Sequence, residues 1–210
     1  MAQSITRRLD RALPFSEARL RDDLVVVTQA VSKAVAEINH FMATARNSSP
    51  SALLEVGSVD FIRTITQAVE DSRRVATTHH LVVETDHVSM IGPGDEALLL
   101  HAFDNLLRNA IKYSPHGGTI TVSMAPDATD RPNHITVVIR DEGIGIPQDA
   151  LPRIFERFYR ADNVTAIEGT GLGLSGALRI VEAHGGDMKV ESPDSKGCAV
   201  TIRLPLHAIV

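Results

Sequence analysis

Two stretches, "GTITVSM" (residues 118–124) and "HITVVIRDEG" (residues 134–143), alternate β-branched residues with others, and they restrict the fold more than anything else in the chain. A period of two over such a length marks strands, which must find partners in a sheet. "HHLVVET", "HVSMI", "MKVES" and "AVTIRLP" read as further short strands, with Gly92-Pro93-Gly94 as a turn. Three segments instead have helical periodicity: roughly 61–76 with Asp60 as its cap, "DEALLLHAFDNLLRNAIKYS", and a run from about Leu172 to about Ala183. The second has acids at its start and Lys112 near its end, as the helix dipole prefers. The third closes on Gly185-Gly186. Five or six strands and three long helices after residue 57, in runs and not in strict alternation, predict a mixed α+β sandwich rather than a doubly wound sheet. No internal repeat is visible.

The first fifty residues have a different pattern. Ile5, Leu9 and Ala12 suggest a short helix that stops at Pro14. Over residues 16–46, Leu24, Val27, Val31, Ala34, Ile38, Phe41 and Ala45 recur at spacings of three and four, the seam of a coiled coil or helical hairpin. Period alone leaves open a surface helix or a dimerisation helix. The loop Asn47–Ser51 is the expected boundary, giving a helical segment at 1–50 and a second domain at 51–210. With 43% apolar residues the chain can bury a core, and a net charge of −5 gives no reason to expect nucleic acid. The apolar stretches are too short for a membrane span, and the N-terminus has no apolar signal region. A single cysteine, Cys198, excludes an intrachain disulfide framework, and the expected location is the cytoplasm.

Four segments carry chemistry, each with a plain reading beside the sharp one. In "DNLLRNAIKYS", Asn105 and Asn109 share a helix face, with Lys112 and Tyr113 one turn further on. The row is either a solvated face or a holder for a divalent cation and the phosphates it bridges, since an amide oxygen is a suitable magnesium ligand. In "RDEGIGIP", a β-run ends in Asp141, followed by Gly143, Gly145 and Ile146. Such a carboxylate is a solvated turn residue, or it accepts a hydrogen bond from an exocyclic amine such as that of adenine. "LPRIFERFYRAD" sets Phe155, Phe158 and Tyr159 at helical spacing among Arg153, Arg157 and Arg160. That is a core stripe, or a cover whose Arg157 and Arg160 reach a nucleotide's terminal phosphate. In "EGTGLGLSGALRIVEAHGG", Gly169, Thr170, Gly171, Leu172 and Gly173 lead into a helix whose first N–H groups can meet an anion. Neither a P-loop nor a Rossmann fingerprint is present.

In this order and spacing the four segments closely resemble the N, first glycine, F and second glycine boxes of sensor histidine kinases, over roughly residues 52–206. The resemblance implies the ATP-binding fold shared with DNA gyrase and mismatch-repair ATPases, a Bergerat-type two-layer α/β sandwich with a mixed sheet. It implies that Asn109 binds Mg2+, Lys112 approaches phosphate, Tyr113 lines the pocket and Asp141 reads the adenine amino group. It also implies that residues 147–168 form an ATP lid, that Gly169, Gly171 and Gly173 surround the phosphates, and that Gly143, Gly145, Ile146, Phe155, Phe158, Thr170 and Leu172 complete the nucleotide set. The gyrase-type relatives place a water-activating glutamate four residues before the magnesium asparagine. Here that residue is Asn105, a neutral amide that cannot act as a general base. This favours a kinase over a hydrolase, with Glu142 or Asp104 able to compensate.

A histidine kinase also needs a phosphoacceptor, usually in an H-E-L-R-T-P-like stretch, and the chain contains none. Residues 21–46 are similar to the second helix of a dimerisation hairpin, which would put the acceptor before residue 1. His40 sits in a poor match, and His79, His80 and His184 read as structural or exposed. The expectation is therefore a truncated hairpin: a fragment of a longer kinase, a split kinase acting on a partner's histidine, or a regulator that has lost phosphotransfer. The partners it implies are ATP, a histidine-bearing dimerisation domain, a cognate response regulator, a second copy through residues 21–46, and a membrane-bound sensor. Two rivals stand beside it: an anti-sigma type serine kinase, opposed by the N-terminal helix and the Phe-rich segment, and a simple ATPase. "GCAV" at 197–200 stands where the family often has threonines.

Overall fold

The alternation of the central runs resolves into one buried and one open sheet face. In the computed structural model, which describes residues 55–128, 133–165, 167, 169–193 and 196–207, Ile120, Val122, Met124, Ile135, Val137 and Ile139 are all buried. Their neighbours Thr121, Ser123, Thr136 and Val138 lie half-exposed on the other side. The expected helical hairpin, its seam, and the domain boundary near residue 50 fall outside the described residues.

In chain order the elements are β1 (Gly57–Asp60), α1 (Phe61–Arg73), β2 (His79–Glu84), β3 (Ile91–Gly94), α2 (Glu96–Lys112), β4 (Gly118–Pro126), β5 (His134–Asp141), α3 (Gly173–Ala183), β6 (Asp187–Glu191) and β7 (Cys198–Pro205). Two short 3-10 turns, Leu151–Arg153 and Asp162–Val164, interrupt the long connection after β5. The main sheet has the order β2-β4-β5-β7-β6, with β2 parallel to β4 and every other pair antiparallel. The three helices cover one face of it. Phe61, Ile65 and Val69 from α1, Leu99, Phe103, Leu106 and Leu107 from α2, and Ala177 and Val181 from α3 share one apolar cluster with the sheet. The architecture is the expected two-layer sandwich with a mixed sheet. None of the described helices is long and apolar enough to cross a membrane.

The strands around residues 85–94 differ from expectation. Of "HVSMI" only Ile91 lies in a strand, as the first residue of β3, and Val88 is 95% exposed. The expected turn Gly92-Pro93-Gly94 is itself most of β3, paired antiparallel with β1, a strand of four residues that the pattern did not suggest. Tertiary contacts decide this. A Cβ on Gly92 would strike the Pro205 carbonyl and the Phe61 ring, so the close approach of β7 needs glycine there. Pro93 is tolerated because the ribbon has only two strands and makes no demand on its missing N–H. α1 ends at Arg73, a turn earlier than the periodicity suggested.

Asp60 joins these pieces. It ends β1 and caps α1, accepting from the Ile62 and Arg63 amides at 3.1 and 3.4 Å and from Met90 N–H at 3.3 Å. Burial acts to raise its pKa, but the Ser89 side chain and these amides outweigh that and hold the carboxyl below its ordinary value. Beside the start of α2, His184 caps the end of α3 and is buried. Its Nε2 accepts from Asp95 N–H at 2.9 Å, so the ring proton sits on Nδ1 and goes to the Ile180 carbonyl at 2.7 Å.

Candidate functional site

The C-terminal half of α2 meets the start of α3. Leu106, Leu107 and Ala110 bury one side of α2, which turns Asn105, Asn109 and Lys112 to a half-buried side. A Cβ on Gly173 would stand 3.4 Å from Asn109 Nδ2 and 3.7 Å from Oδ1, so the first residue of α3 lies directly against that carboxamide. One turn on, the Lys112 ammonium lies 3.4 Å from the Tyr113 hydroxyl and 4.9 Å from the ring centroid. A Cβ on Gly169 would collide with it. Asn109, Lys112, Tyr113, Gly169 and Gly173 thus come together. Asn105 is engaged with His101 Nε2 at 3.2 Å, one turn back along the same row.

Asp141 ends β5 beside this row. It is 9% exposed, and Gly143 N–H at 2.9 Å and Cys198 N–H at 3.1 Å both donate to the same oxygen, Oδ1. Oδ2 is left as the oxygen with capacity to accept. Burial raises the Asp141 pKa, and the two amides only partly offset it. Burial, together with the neighbouring Asp141 charge, pushes the Cys198 thiol up to about 12, so it stays protonated. Gly143 is required by packing: a Cβ there would strike the Tyr113 carbonyl and come within 2.8 Å of Ser114 Oγ. The turn is tied to α2 by Ile144 N–H donating to the Tyr113 carbonyl at 2.9 Å. Ser114 Oγ is buried with no hydrogen-bond partner among the described residues. A carboxylate oxygen that accepts no bond from the described residues and a buried hydroxyl without a partner thus lie at one turn.

The segment expected as a cover departs from helical spacing. Phe155 packs partly against the core, but Phe158 is 70% exposed with φ of 65°, a strained conformation for a bulky residue. Its N–H donates to the Gly171 carbonyl at 3.0 Å, which pins the aromatic turn onto the glycine segment in front of α3. Arg153 pairs with Glu156 and stacks 4.3 Å from the Tyr159 ring centroid. Arg160, expected to reach a phosphate, instead donates through Nη2 to the carbonyls of Val164, at 2.6 Å, and Ile167. It holds the cover's own backbone. Arg157 is exposed and makes no hydrogen bond or ion pair among the described residues. Thr170 is exposed, and Leu172 is the N-cap of α3 with no side-chain capping bond, so the first amides of that helix have no side-chain acceptor.

Several supporting residues carry no signal in the sequence. Asn163 Nδ2 donates to the Gly145 carbonyl at 3.1 Å, joining the cover to the Asp141 turn. Ser192 Oγ accepts from Ile146 N–H at 2.9 Å, and Gln148 Nε2 donates to the Ser192 carbonyl at 2.8 Å. Only the return of β6 beside the turn makes them relevant. A groove of about 480 Å³ on the open face of the sheet, lined by Glu84, His87, Thr136 and Arg203 among others, shares no residue with this constellation.

Comparison with known proteins agrees with the geometry. Residues 94–208 match the family described as histidine kinase-, DNA gyrase B-, and HSP90-like ATPase. The chain is 41% identical over 113 residues to the sensor histidine kinase WalK of Bacillus subtilis, covering 53% of this chain and 18% of that protein. It is 31% identical over 194 residues to the sensor-like histidine kinase SenX3 of Mycolicibacterium smegmatis, covering 88% of this chain and 50% of that protein. The chain thus spans half or less of the length of these curated relatives. A solved mycobacterial sensor histidine kinase MprB structure superposes with a TM-score of 0.62 at 33% identity, covering 71% of this chain and 97% of that one. The chain therefore belongs to the histidine kinase-, DNA gyrase B-, and HSP90-like ATPase family, and its described part is an ATP-binding catalytic domain of the sensor histidine kinase kind.

Proposed function

We propose that residues 51–210 bind Mg·ATP between α2, the Asp141 turn and the N-terminus of α3, and that the γ-phosphoryl passes to a histidine on another segment or chain. Asp141 carries the reading. A nearly buried carboxylate, kept at a raised pKa with one oxygen uncommitted, is suited to an adenine amine and costly to keep otherwise. The row beyond it has the order a nucleotide needs, with Tyr113 beside the base turn, then the Lys112 ammonium, then Asn109 against the open amides of α3.

The Asn109 amide oxygen suits magnesium, a hard cation that takes most of its ligands from phosphate and water. When bound, the ion supplies neutralisation of phosphate charge. The chain's own residues position the nucleotide: Asp141 holds the base, Lys112 and the α3 amides meet phosphate, and exposed Arg157 is the arginine able to reach outward. Transfer of this sort depends chiefly on positioning and charge, which fits a row whose amide Asn105 is no base. A histidine-bearing dimerisation domain, a response regulator and a cytoplasmic location belong to the same proposal.

Calorimetry with ATP at millimolar magnesium tests the pocket. Uptake is expected in the parent chain, with Asp141→Asn and Asn109→Ala each losing about 10- to 100-fold. Absence of uptake, or variants that bind as the parent does, would end the reading. Radiolabelled ATP offered with a histidine-bearing hairpin should give an acid-labile product. An acid-stable product would point to a serine kinase, and phosphate release without acceptor to an ATPase.

A further inference from the structure

We infer that Ser192 is a positioning residue for base recognition, aiming the Asp141 carboxylate through the single peptide group that joins Gly197 to Cys198. The inference rests on Asp141 being the residue that reads the base.

Ser192 follows β6 and is 2% exposed. The roles of its hydroxyl are determined by its partners. Ile146 N–H can only donate, so Oγ accepts from it at 2.9 Å, and the hydroxyl proton goes to the Gly197 carbonyl at 2.6 Å. That carbonyl and Cys198 N–H are the two ends of one planar trans amide, so they point in opposite directions. Ser192 holds the oxygen end. The N–H end lands on Asp141 Oδ1 at 3.1 Å.

Strand pairing holds the Cys198 side of this plane, since Cys198 opens β7 opposite Asp141, and Ser192 holds the Gly197 side. Gly197 has φ of 62°, and a Cβ there would strike the Asp141 carbonyl, so the position excludes a side chain that could stiffen it. The remaining bond of Gly197, from its N–H to the Gly143 carbonyl at 2.8 Å, lies on the preceding peptide. Gln148 anchors the Ser192 carbonyl on the other side of the hydroxyl. With Cys198 N–H and Gly143 N–H both served by Oδ1, the carboxylate can rotate little, and Oδ2 is presented as the free acceptor. Without the hydroxyl, the plane turns, one of the two amides leaves Oδ1, and Oδ2 loses its fixed direction.

Affinity for Mg·ATP is compared with affinity for purine riboside triphosphate, which lacks the exocyclic amine, in the parent chain and in Ser192→Ala, Ser192→Cys and Ser192→Thr. The parent should prefer ATP by about tenfold or more, the worth of one hydrogen bond to a charged group. Ser192→Ala should lose most of that preference while binding the amine-free analogue almost as the parent does. Ser192→Thr keeps a hydroxyl and should keep the preference. Ser192→Cys, close in size and a weak hydrogen-bonder, should lower it even if the alanine variant fails to fold. Equal weakening of both nucleotides, or an undiminished preference in the alanine or cysteine variant, overturns the inference. A parent chain that binds neither nucleotide overturns the reading of Asp141 instead.

Discussion

Asp60 and Asp141 each end a strand and each accept backbone amides, yet the fold treats them in opposite ways. Asp60 receives three amides and the Ser89 side chain, and its pKa is lowered despite burial. Asp141 receives two amides on one oxygen, lies deeper, and its pKa is raised. The first carboxylate receives more protein donors, three amides on its Oδ1 and the Ser89 side chain, and holds a helix start in place. The second is oriented but left partly unserved, which makes it costly in isolation and useful to a ligand. In this domain, the number of protein donors separates the carboxylate proposed to read the base from the structural one.

The surroundings of Asp141 give the largest test of that contrast. Gly143→Ala places a methyl against the Tyr113 carbonyl, Ser114 Oγ and Asp141 Oδ1, the first and last of which are held by hydrogen bonds. Thermal unfolding should show a loss of about 1–3 kcal/mol, the usual cost of overpacking. Gly169→Ala meets only the flexible end of Lys112. Its melting temperature should stay close to the parent's while nucleotide affinity falls. Equal destabilisation by the two substitutions would show that the glycine segment before α3 is structural.

Asp60→Ala should cost about 1–2 kcal/mol, the worth of a lost helix cap, with nucleotide affinity unchanged. A fall in affinity there would erase the distinction between the two carboxylates. The smallest effect lies in pH. Asp60 stabilises the fold above its ordinary value of 3.8, and that stabilisation is lost as pH falls through its lower folded value. Asp141 has the opposite sign: without nucleotide, stability falls as pH rises from 3.8 through its raised value. Nucleotide affinity should weaken as pH drops below that raised value, because protonation replaces an acceptor by a donor. Urea melts and calorimetry of Asp60→Ala and Asp141→Asn across the acid range should each remove one slope and leave the other.

Much of the fold was legible along the chain. β4 and β5 announce themselves by alternation, and α2 by its apolar side and end charges, because these properties depend on a residue and its near neighbours. β1 and β3 were not legible: they are four residues each, and β3 is written Ile-Gly-Pro-Gly, so pairing and the approach of Pro205 decide them. In the site, Asn109, Lys112 and Asp141 stand where local pattern suggested. Arg160 does not, since its guanidinium was free on paper and is taken up by the carbonyls of Val164 and Ile167. Phe158, spaced as if for a core helix, is turned outward by a left-handed backbone bonded to Gly171.

By itself the sequence determined the longer elements, the buried sheet face, and the types of donor and acceptor on α2 and at the end of β5. These follow from periodicity and side-chain chemistry, which act over a few residues. Only the tertiary structure decided which oxygen of Asp141 is spent and which is free. That choice depends on Gly143 from the next turn, Cys198 from a neighbouring strand, and Ser192 behind its amide, groups up to 57 residues apart in the chain. Hydrogen-bond direction is a property of three-dimensional neighbours, and no window of sequence contains them all.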